Sequence, residues 1–372
     1  MASKRRNSAA SRRPAARSRR GSSAAIPGGP PRRVVSLVTL ILAVGATLVG
    51  SCFRRQASVP VASPPAPAAS ASAPAPRANR ATPAPPPPGP RLATPSGLPK
   101  APEGDVAAVG TFNIEWFSLG GKNARSESDL RNIADVIRQT GCVVLGVEEV
   151  QDEAALAALV RHLPGWKFQL GTSGRQQRCG ILWDASRATV GRAAEWPDVN
   201  EGLEKGGRGS LRAPLVAPVK IGQFDFTLVV LHLKAMFDPE DIRTRRTQLR
   251  RIRDRVEKEA VARKDEDFVI VGDFNDFADS DALKELTDGR RGKLRFVVTG
   301  ARLPKTVSSY LGRSGRIDHI VVTSPGVTQQ EWTGEAFVYP KPKGKERELY
   351  EKSVSDHLPS WATFKTDRDY DP

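Results

Sequence analysis

The chain has 372 residues, with 57 Lys and Arg against 41 Asp and Glu and a formal charge of +16. Every acidic residue lies at or beyond Glu103, while 16 of the basic ones lie within residues 1–100, so the whole excess belongs to that stretch and the remainder is neutral. This excludes a folded surface that coats nucleic acid by bulk charge, and any substrate preference has to come from local sites.

Residues 1–33 hold ten Lys and Arg among Ser, Ala, Gly and Pro. With almost no large apolar side chain they cannot bury enough surface to offset chain entropy, and a disordered basic arm is expected. Segment 34–52 contains Val34–Gly50, seventeen uncharged and mostly apolar residues, then Ser51 and Cys52. That length falls between a signal-peptide core and a minimal membrane span, and the positive charge ahead of it favours export of the downstream chain. The small residues before Cys52 resemble the cleavage box of bacterial lipoproteins. Two readings stand, a lipid anchor on Cys52 or an uncleaved signal anchor. Residues 53–102 form a Pro/Ala-rich linker that contains half of the 30 prolines, and such a composition makes an extended, semi-rigid spacer. The expected location is the cell envelope, with the chain anchored to a membrane, or alternatively secreted. A monomer is the expected state.

Residues 103–372 suit one α/β domain. Apolar runs of strand length recur at Val106–Phe112, Val143–Val147, Gly180–Trp183, Phe226–Leu231, Phe268–Val271, Ile317–Val322 and Trp361–Phe364. Several are continuous, as expected of strands covered on both faces. Helical patterns lie between them at Asp129–Gln139 behind Ser126, Glu153–Leu163 and Asp241–Lys264. The Gly/Pro-rich stretches Glu201–Pro218 and Lys341–Glu348 read as surface loops or edges. Cys142 and Cys179 lack CxxC spacing and read as two buried thiols, with a disulfide as the alternative in an exported domain.

What terminates the strands carries the chemistry. Val106–Phe112 runs into Asn113, Val143–Val147 into Glu148 and Glu149, Phe226–Leu231 into His232, and Phe268–Val271 into Gly272-Asp273-Phe274-Asn275. Ile317 is followed by Asp318 and His319, and the last strand is preceded by Ser355-Asp356-His357. A carboxylate or imidazole at the end of a buried strand is unfavourable unless paired, hydrated or metal-bound, and several together make a candidate site. Each alone has a plainer explanation: Asn113 as a turn residue, Glu148-Glu149 as the start of a helix, His232 as a core histidine, Asp356 in an N-cap. The run from Asp273 is not a calcium loop, since its sixth position is Ala278 and its twelfth Lys284. The oxygen donors Asn113, Glu149, Asp273, Asn275 and Asp356 suit a hard divalent cation, Mg²⁺ with Mn²⁺ or Ca²⁺ as alternatives. His232 and His357 suit proton transfer or phosphate polarisation. This inventory fits phosphate-ester hydrolysis better than acyl transfer or redox chemistry.

Taken in order, TFNIEWF, LGVEEVQD, LVVLHLKA, VIVGDFNDF, GRIDHIVV and VSDHLPSW resemble the successive motifs of the endonuclease/exonuclease/phosphatase superfamily. That superfamily includes pancreatic-type deoxyribonuclease, abasic-site endonucleases, neutral sphingomyelinases and inositol polyphosphate 5-phosphatases. The resemblance spans residues 105–366 and implies a four-layer α/β sandwich, two packed and mostly antiparallel sheets flanked by helices, with the site at one edge. It implies that Asn113, Glu149 and Asp356 belong to the metal site, with Glu149 the principal ligand. Asp273 would orient or deprotonate the attacking water, and Asn275 would hydrogen-bond a phosphoryl oxygen. His232 would contact the scissile phosphate, and Asp318 would pair with His357. Two departures stand out: Glu148 occupies a position where many members have Gln, and His319 one where an aromatic is frequent.

The marks of inositol 5-phosphatases are missing, and HLKA at His232–Ala235 resembles the HFKS-type segment of bacterial secreted nucleases. The implied activity is that of an exported, Mg²⁺-dependent endonuclease or exonuclease with DNA or RNA as substrate. A sphingomyelinase-like lipid phosphodiesterase or a phosphomonoesterase is the alternative. Arg175 and Arg178, just before a strand, are candidates to touch substrate phosphate. Arg243, Arg245, Arg246, Arg250, Arg251, Arg253 and Arg255 read as a solvated helix face, with phosphate contact as the other reading. A catalytically idle docking module is the competing class, and every matched position carrying a chemical group argues against it.

Overall fold

The computed structural model describes residues 89–203, 210–290, 292–312, 314–327 and 331–369, all within one unit, Thr82–Pro372. The basic arm, the apolar segment with Cys52 and most of the linker lie outside the described residues. In chain order the elements are β1 (Val106–Phe117), α1 (Glu127–Thr140), β2 (Cys142–Val150), α2 (Glu153–Val160), β3 (Trp166–Leu170), β4 (Arg178–Asp184), β5 (Ala188–Val190), β6 (Ala194–Glu195) and β7 (Leu215–Ile221). Next come β8 (Phe224–His232), α3 (Pro239–Arg263), β9 (Phe268–Asp273), α4 (Asp281–Thr287), β10 (Arg295–Val298), β11 (Asp318–Ser324), β12 (Trp332–Val338), α5 (Gly344–Ser353) and β13 (Ser360–Lys365). Among the described residues no helix is long and apolar enough to cross a membrane.

Two sheets carry these strands, one in the order β12-β13-β1-β2-β4-β3 and the other β10-β11-β9-β8-β7-β5, with β6 also on β7. Each sheet has one parallel pair near its middle, β1 with β2 and β8 with β9, and is otherwise antiparallel. Strand alternation explains the layering. On β9, Val269 and Val271 face the other sheet while Phe268 and Ile270 face α3 and α4. On β8, Leu228 and Val230 point inward and Val229 and Leu231 outward. The outer face of the first sheet packs on α1, α2 and α5 through Phe112, Leu145, Leu182 and Trp361. Helix, sheet, sheet, helix is the four-layer α/β sandwich that the motifs imply, and its doubly buried strands account for the continuous apolar runs.

The helix ends follow local chemistry. α1 starts at a capping box in which Ser126 and Asp129 bond each other's backbone, and ends at Gly141 with φ 68°. α3 starts with Pro239 at its first position, where a missing N–H removes no helical bond. The sheets approach closely at Gly146, where an added Cβ would lie 2.6 Å from Val271 Cγ2. Gly272, at φ 147°, lets β9 lie against β8, since a Cβ there would come within 1.9 Å of Leu231 O.

Two of the loop expectations are corrected. Gly344–Ser353 is helix rather than loop, held by Tyr350 in the core, and the Glu201–Pro218 stretch runs into β7, which tolerates Pro218 one strand in from the short edge strand β5. Residues at the end of the expected linker lie along α1. Arg91 pairs with Asp135 at 2.7 Å, Asn132 Nδ2 donates to Pro90 O, and Leu92 and Leu98 pack on the core. Cys142 and Cys179 are free and buried.

Candidate active site

The ladder between β1 and β2 pairs Asn113 with Glu148 and then breaks. Past the break, Glu115, Trp116 and Glu149 all have positive φ, at 43°, 46° and 63°. Non-glycine residues adopt such values only where their surroundings impose them. The break separates the two adjacent acids. Glu148 turns inward and accepts a 2.7 Å hydrogen bond from Thr111 Oγ1, and burial holds its carboxyl well above the usual carboxylate range. Glu149 instead accepts from Trp116 N at 3.1 Å and from Asn113 Nδ2 at 3.3 Å. Of the pair, Glu149 is the one beside Asn113 and His232.

The second sheet supplies a row. Asp273 is in register with His232 on one side and Asp318 on the other, so three neighbouring strands present three polar side chains side by side. Asn275, at φ 53°, closes the turn after β9. Its N–H donates to Asp273 Oδ1 at 2.8 Å, and its Nδ2 donates to Asp273 Oδ2 and to Leu233 O, both at 3.2 Å. Asn tolerates this backbone region better than most residues.

His357 arrives from the first sheet on the loop before β13. Its backbone N–H donates to Ser355 Oγ, which donates in turn to Asn113 O. Its Nδ1 lies 3.0 Å from Asp318 Oδ2, and its Nε2 lies 3.9 Å from both Asp273 Oδ2 and Asp356 Oδ1. His232 Nε2 is 3.6 Å from Asp273 Oδ2 and 3.8 Å from Glu149 Oε1. Apart from the His357–Asp318 hydrogen bond, these gaps of 3.6–3.9 Å are too long for direct hydrogen bonds. Asn113, Glu149, His232, Asp273, Asn275, Asp318, Asp356 and His357 therefore meet in one place, at the carboxyl ends of the two parallel strand pairs, while His319 turns away to Asp276 O.

The two imidazoles differ in charge. Burial pulls both down, and at His232 the positive Arg212 and His357 add to that, leaving it well below its usual value. At His357 burial is outweighed by the carboxylates around it, Asp318 first and then Asp273 and Asp356, which raise it well above, so it is an imidazolium at neutral pH. Burial, then Asp318, also raises Asp273 above the usual carboxylate range.

Asp273, Asp318 and His357 bring ligand atoms within 4.8 Å of one another, a grouping able to hold a cation. The charge on His357 already compensates that triplet. Further acids stand at the mouth: burial raises both Glu115 and Asp356, Asp356 and Glu149 push Glu115 further and Glu149 pushes Asp356, against the partial offset of Arg125 and His357. Carboxylates that raise one another are relieved by a cation, and the all-oxygen set of Asn113, Glu149 and Asp356 suits a hard divalent ion.

Sequence reasoning missed three groups. Glu115 and Arg125 lie on or against the β1 bulge, where Arg125 Nη2 donates to Ile114 O and Glu115 O. Arg212 is buried, donates to Leu233 O at 3.0 Å, and has a pKa lowered by burial, with Glu149 and Asp273 among the charges that offset it. A bulge has no period, and Arg212 sits in an irregular stretch, so no sequence signal marks them. Arg178 donates to Gln151 O at 2.7 Å beside the end of β2. Arg175 is exposed in the turn between β3 and β4, and among the described residues no hydrogen bond or ion pair joins it to the row.

Two stacked sheets that meet over such a row define a phosphoesterase-type sandwich. The Endonuclease/Exonuclease/phosphatase family model matches residues 110–357, and the chain belongs to that family. No curated protein sequence matches it. Similar solved structures include TDP2 of D. rerio complexed with single strand DNA product, at 16% identity and TM-score 0.53, covering 70% of this chain and 99% of that one. Truncated TDP2 of Caenorhabditis elegans gives 16% identity and TM-score 0.51, covering 70% and 98%. A family protein from Bacteroides vulgatus gives 17% and 0.50, with the same coverage. At these identities the likeness is one of fold.

Proposed function

We propose that the domain is a metal-dependent hydrolase of phosphodiester bonds, with nucleic acid as its substrate. The observation that carries this reading is the in-register row His232, Asp273, Asp318, faced by Glu149 and His357 from the other sheet. The gaps of 3.6–3.9 Å between these groups leave room for atoms of a ligand held between them. The imidazolium of His357, its ring oriented and its charge supported by Asp318, offers Nε2–H to a phosphoryl oxygen or a leaving group. Asp273, raised towards neutrality and aimed by both bonds from Asn275, takes the proton of the attacking water. Neutral His232 contacts the phosphate opposite His357. Arg212 adds positive charge from behind. A divalent cation on Asn113, Glu149 and Asp356 would neutralise charge on the phosphate oxygens. The same reading makes the protein exported and tethered to a membrane through residues 34–52, a proposal that rests on sequence pattern and is tested by the mass of the mature N-terminus.

The decisive assay is turnover of bis(4-nitrophenyl) phosphate, DNA and RNA with Mg²⁺, Mn²⁺ or Ca²⁺ and with EDTA. Metal-dependent cleavage is expected, and Asp273→Ala should lower the rate by about 100-fold or more, the usual loss on removing one transition-state contact. Absence of turnover with every metal and ester would overturn the reading.

A further inference from the structure

Among the described residues five large apolar side chains are exposed: Trp116 at 38%, Leu119 at 39%, Met236 at 64%, Phe237 at 41% and Val261 at 72%. Val261 lies in the last turns of α3, but Trp116 is near the end of β1, Leu119 just past it, and Met236 and Phe237 follow β8, and those two strands deliver Asn113 and His232. They flank the site. Trp116 N donates to Glu149 Oε2, and the row runs on from Glu149 through His232 and Asp273 to Asn275 in steps of 3.2–3.8 Å. Two residues beyond Asn275, the Phe277 ring stacks on Phe237 with centroids 6.5 Å apart and planes at 26°. Trp116 therefore adjoins the Glu149 end of the row, and the Phe237–Phe277 stack the Asn275 end.

Both ends are held rigidly. The Arg245 guanidinium lies 5.2 Å from the centroid of the Phe237 ring, donates to Met236 O and Lys234 O, and pairs with buried Asp276. Met236 and Trp116 have positive φ, and Gln151 Nε2 donates to Trp116 O. Phe277 also walls a cavity of about 410 Å³ that Ala278, Ala301, Lys305 and Arg316 help to line, a size usual for small-molecule sites, roughly 300–1,000 Å³.

We infer that this rim stacks unpaired nucleobases on either side of the scissile phosphate, so that the preferred substrate is a single-stranded polynucleotide or a frayed end. The inference rests on the phosphodiesterase reading above and narrows it. Aromatic platforms beside a phosphate site hold bases without regard to sequence, and a base inside a duplex cannot reach them. A lipid surface fits less well. Membrane wedges project about 5–10 Å into the headgroup boundary, whereas Trp116, Leu119 and Phe237 have more than half of their surface packed, and of the four only Met236 is more exposed than packed.

The test compares an oligonucleotide as a single strand and in its duplex, with Mg²⁺. The single strand should show kcat/KM at least ten-fold higher, and Phe237→Ala should shrink that ratio by about ten-fold, with Phe237→Tyr restoring it. Independently of turnover, oligo(dT) in EDTA should quench tryptophan fluorescence in the wild type and much less in Trp116→Phe. Equal turnover of both forms, or a ratio unchanged in Phe237→Ala with no quench, overturns the inference. So does cleavage of sphingomyelin in vesicles at a rate above that of the oligonucleotide. If bis(4-nitrophenyl) phosphate is hydrolysed while the two strand forms are cut alike, the rim alone is misread; if no ester is hydrolysed, the broader reading has failed, and the fluorescence result still decides whether the rim binds bases.

Discussion

His232 and His357 stand within 4 Å of the same Asp273 carboxylate, yet one is neutral and the other an imidazolium. Burial lowers both; Arg212 lowers His232 further, while Asp318, which touches only His357 of the two, leads the carboxylates that raise His357. Asp318→Asn removes the leading charge that raises His357 and leaves its shape in place. If activity needs the imidazolium, the alkaline limb of the rate profile moves to lower pH, because the raised pKa falls back, and kcat at neutral pH drops about 100-fold. A pH–rate series on the variant checks both, and an unshifted alkaline limb would assign that limb to another group. The residues that meet at the site were legible because each interrupts a run of Val, Ile, Leu or Phe, where a polar group needs a reason. The same logic could not reach Arg212, whose neighbours are Ser, Leu, Ala and Pro, and it could not choose between Glu148 and Glu149. The choice depends on a bulge that places one beside Thr111 and the other beside Asn113.

The arginine-rich helix α3 shows how a charged pattern can mislead at the level of an element. Its arginines suggested a solvated face or a phosphate grip. Several do something else: they tie α3 to its neighbours, a loop and α4. Arg251 donates to Val199 O and Glu201 O, Arg253 to Glu285 O, and Arg246 pairs with Glu285 at 2.6 Å. Arg245 is fully buried, with Nε 3.0 Å from Asp276 Oδ2, and ties the turn after β8 to the turn after β9. Removing one member of a buried ion pair strands the other without a partner, at about 3–5 kcal/mol. Arg245→Met should therefore lower stability by about that amount in urea unfolding, with Met236 and Phe237 losing order. A midpoint shift below about 1 kcal/mol would mean the pair is dispensable. Charge counting could not foresee this, since a helix with mixed signs gives no hint of which guanidinium finds carbonyls.

At the scale of the molecule, the seven apolar runs all became strands, while β3, β5, β6, β7, β10 and β12 carried too short or too interrupted a pattern to stand out. The four-layer order was implied by family resemblance, and what holds it is the dry interface between the sheets. Gly146 on β2 faces Val271 and Val230 across that interface, with no space for a side chain. Gly146→Val should separate the sheets locally and destabilise by about 1–3 kcal/mol, with an unchanged denaturant slope. Full stability in the variant would show that the interface yields more readily than its packing suggests.

Asn113 and Glu149 come from the first two strands of the domain, and Asp356 and His357 from the loop before β13. A ribosome that has read through β8 has produced four strands of each sheet, but not the full set of groups that meet at the site. The division of the site between the sheets thus withholds its assembly until β13 has been made and the two sheets close on each other.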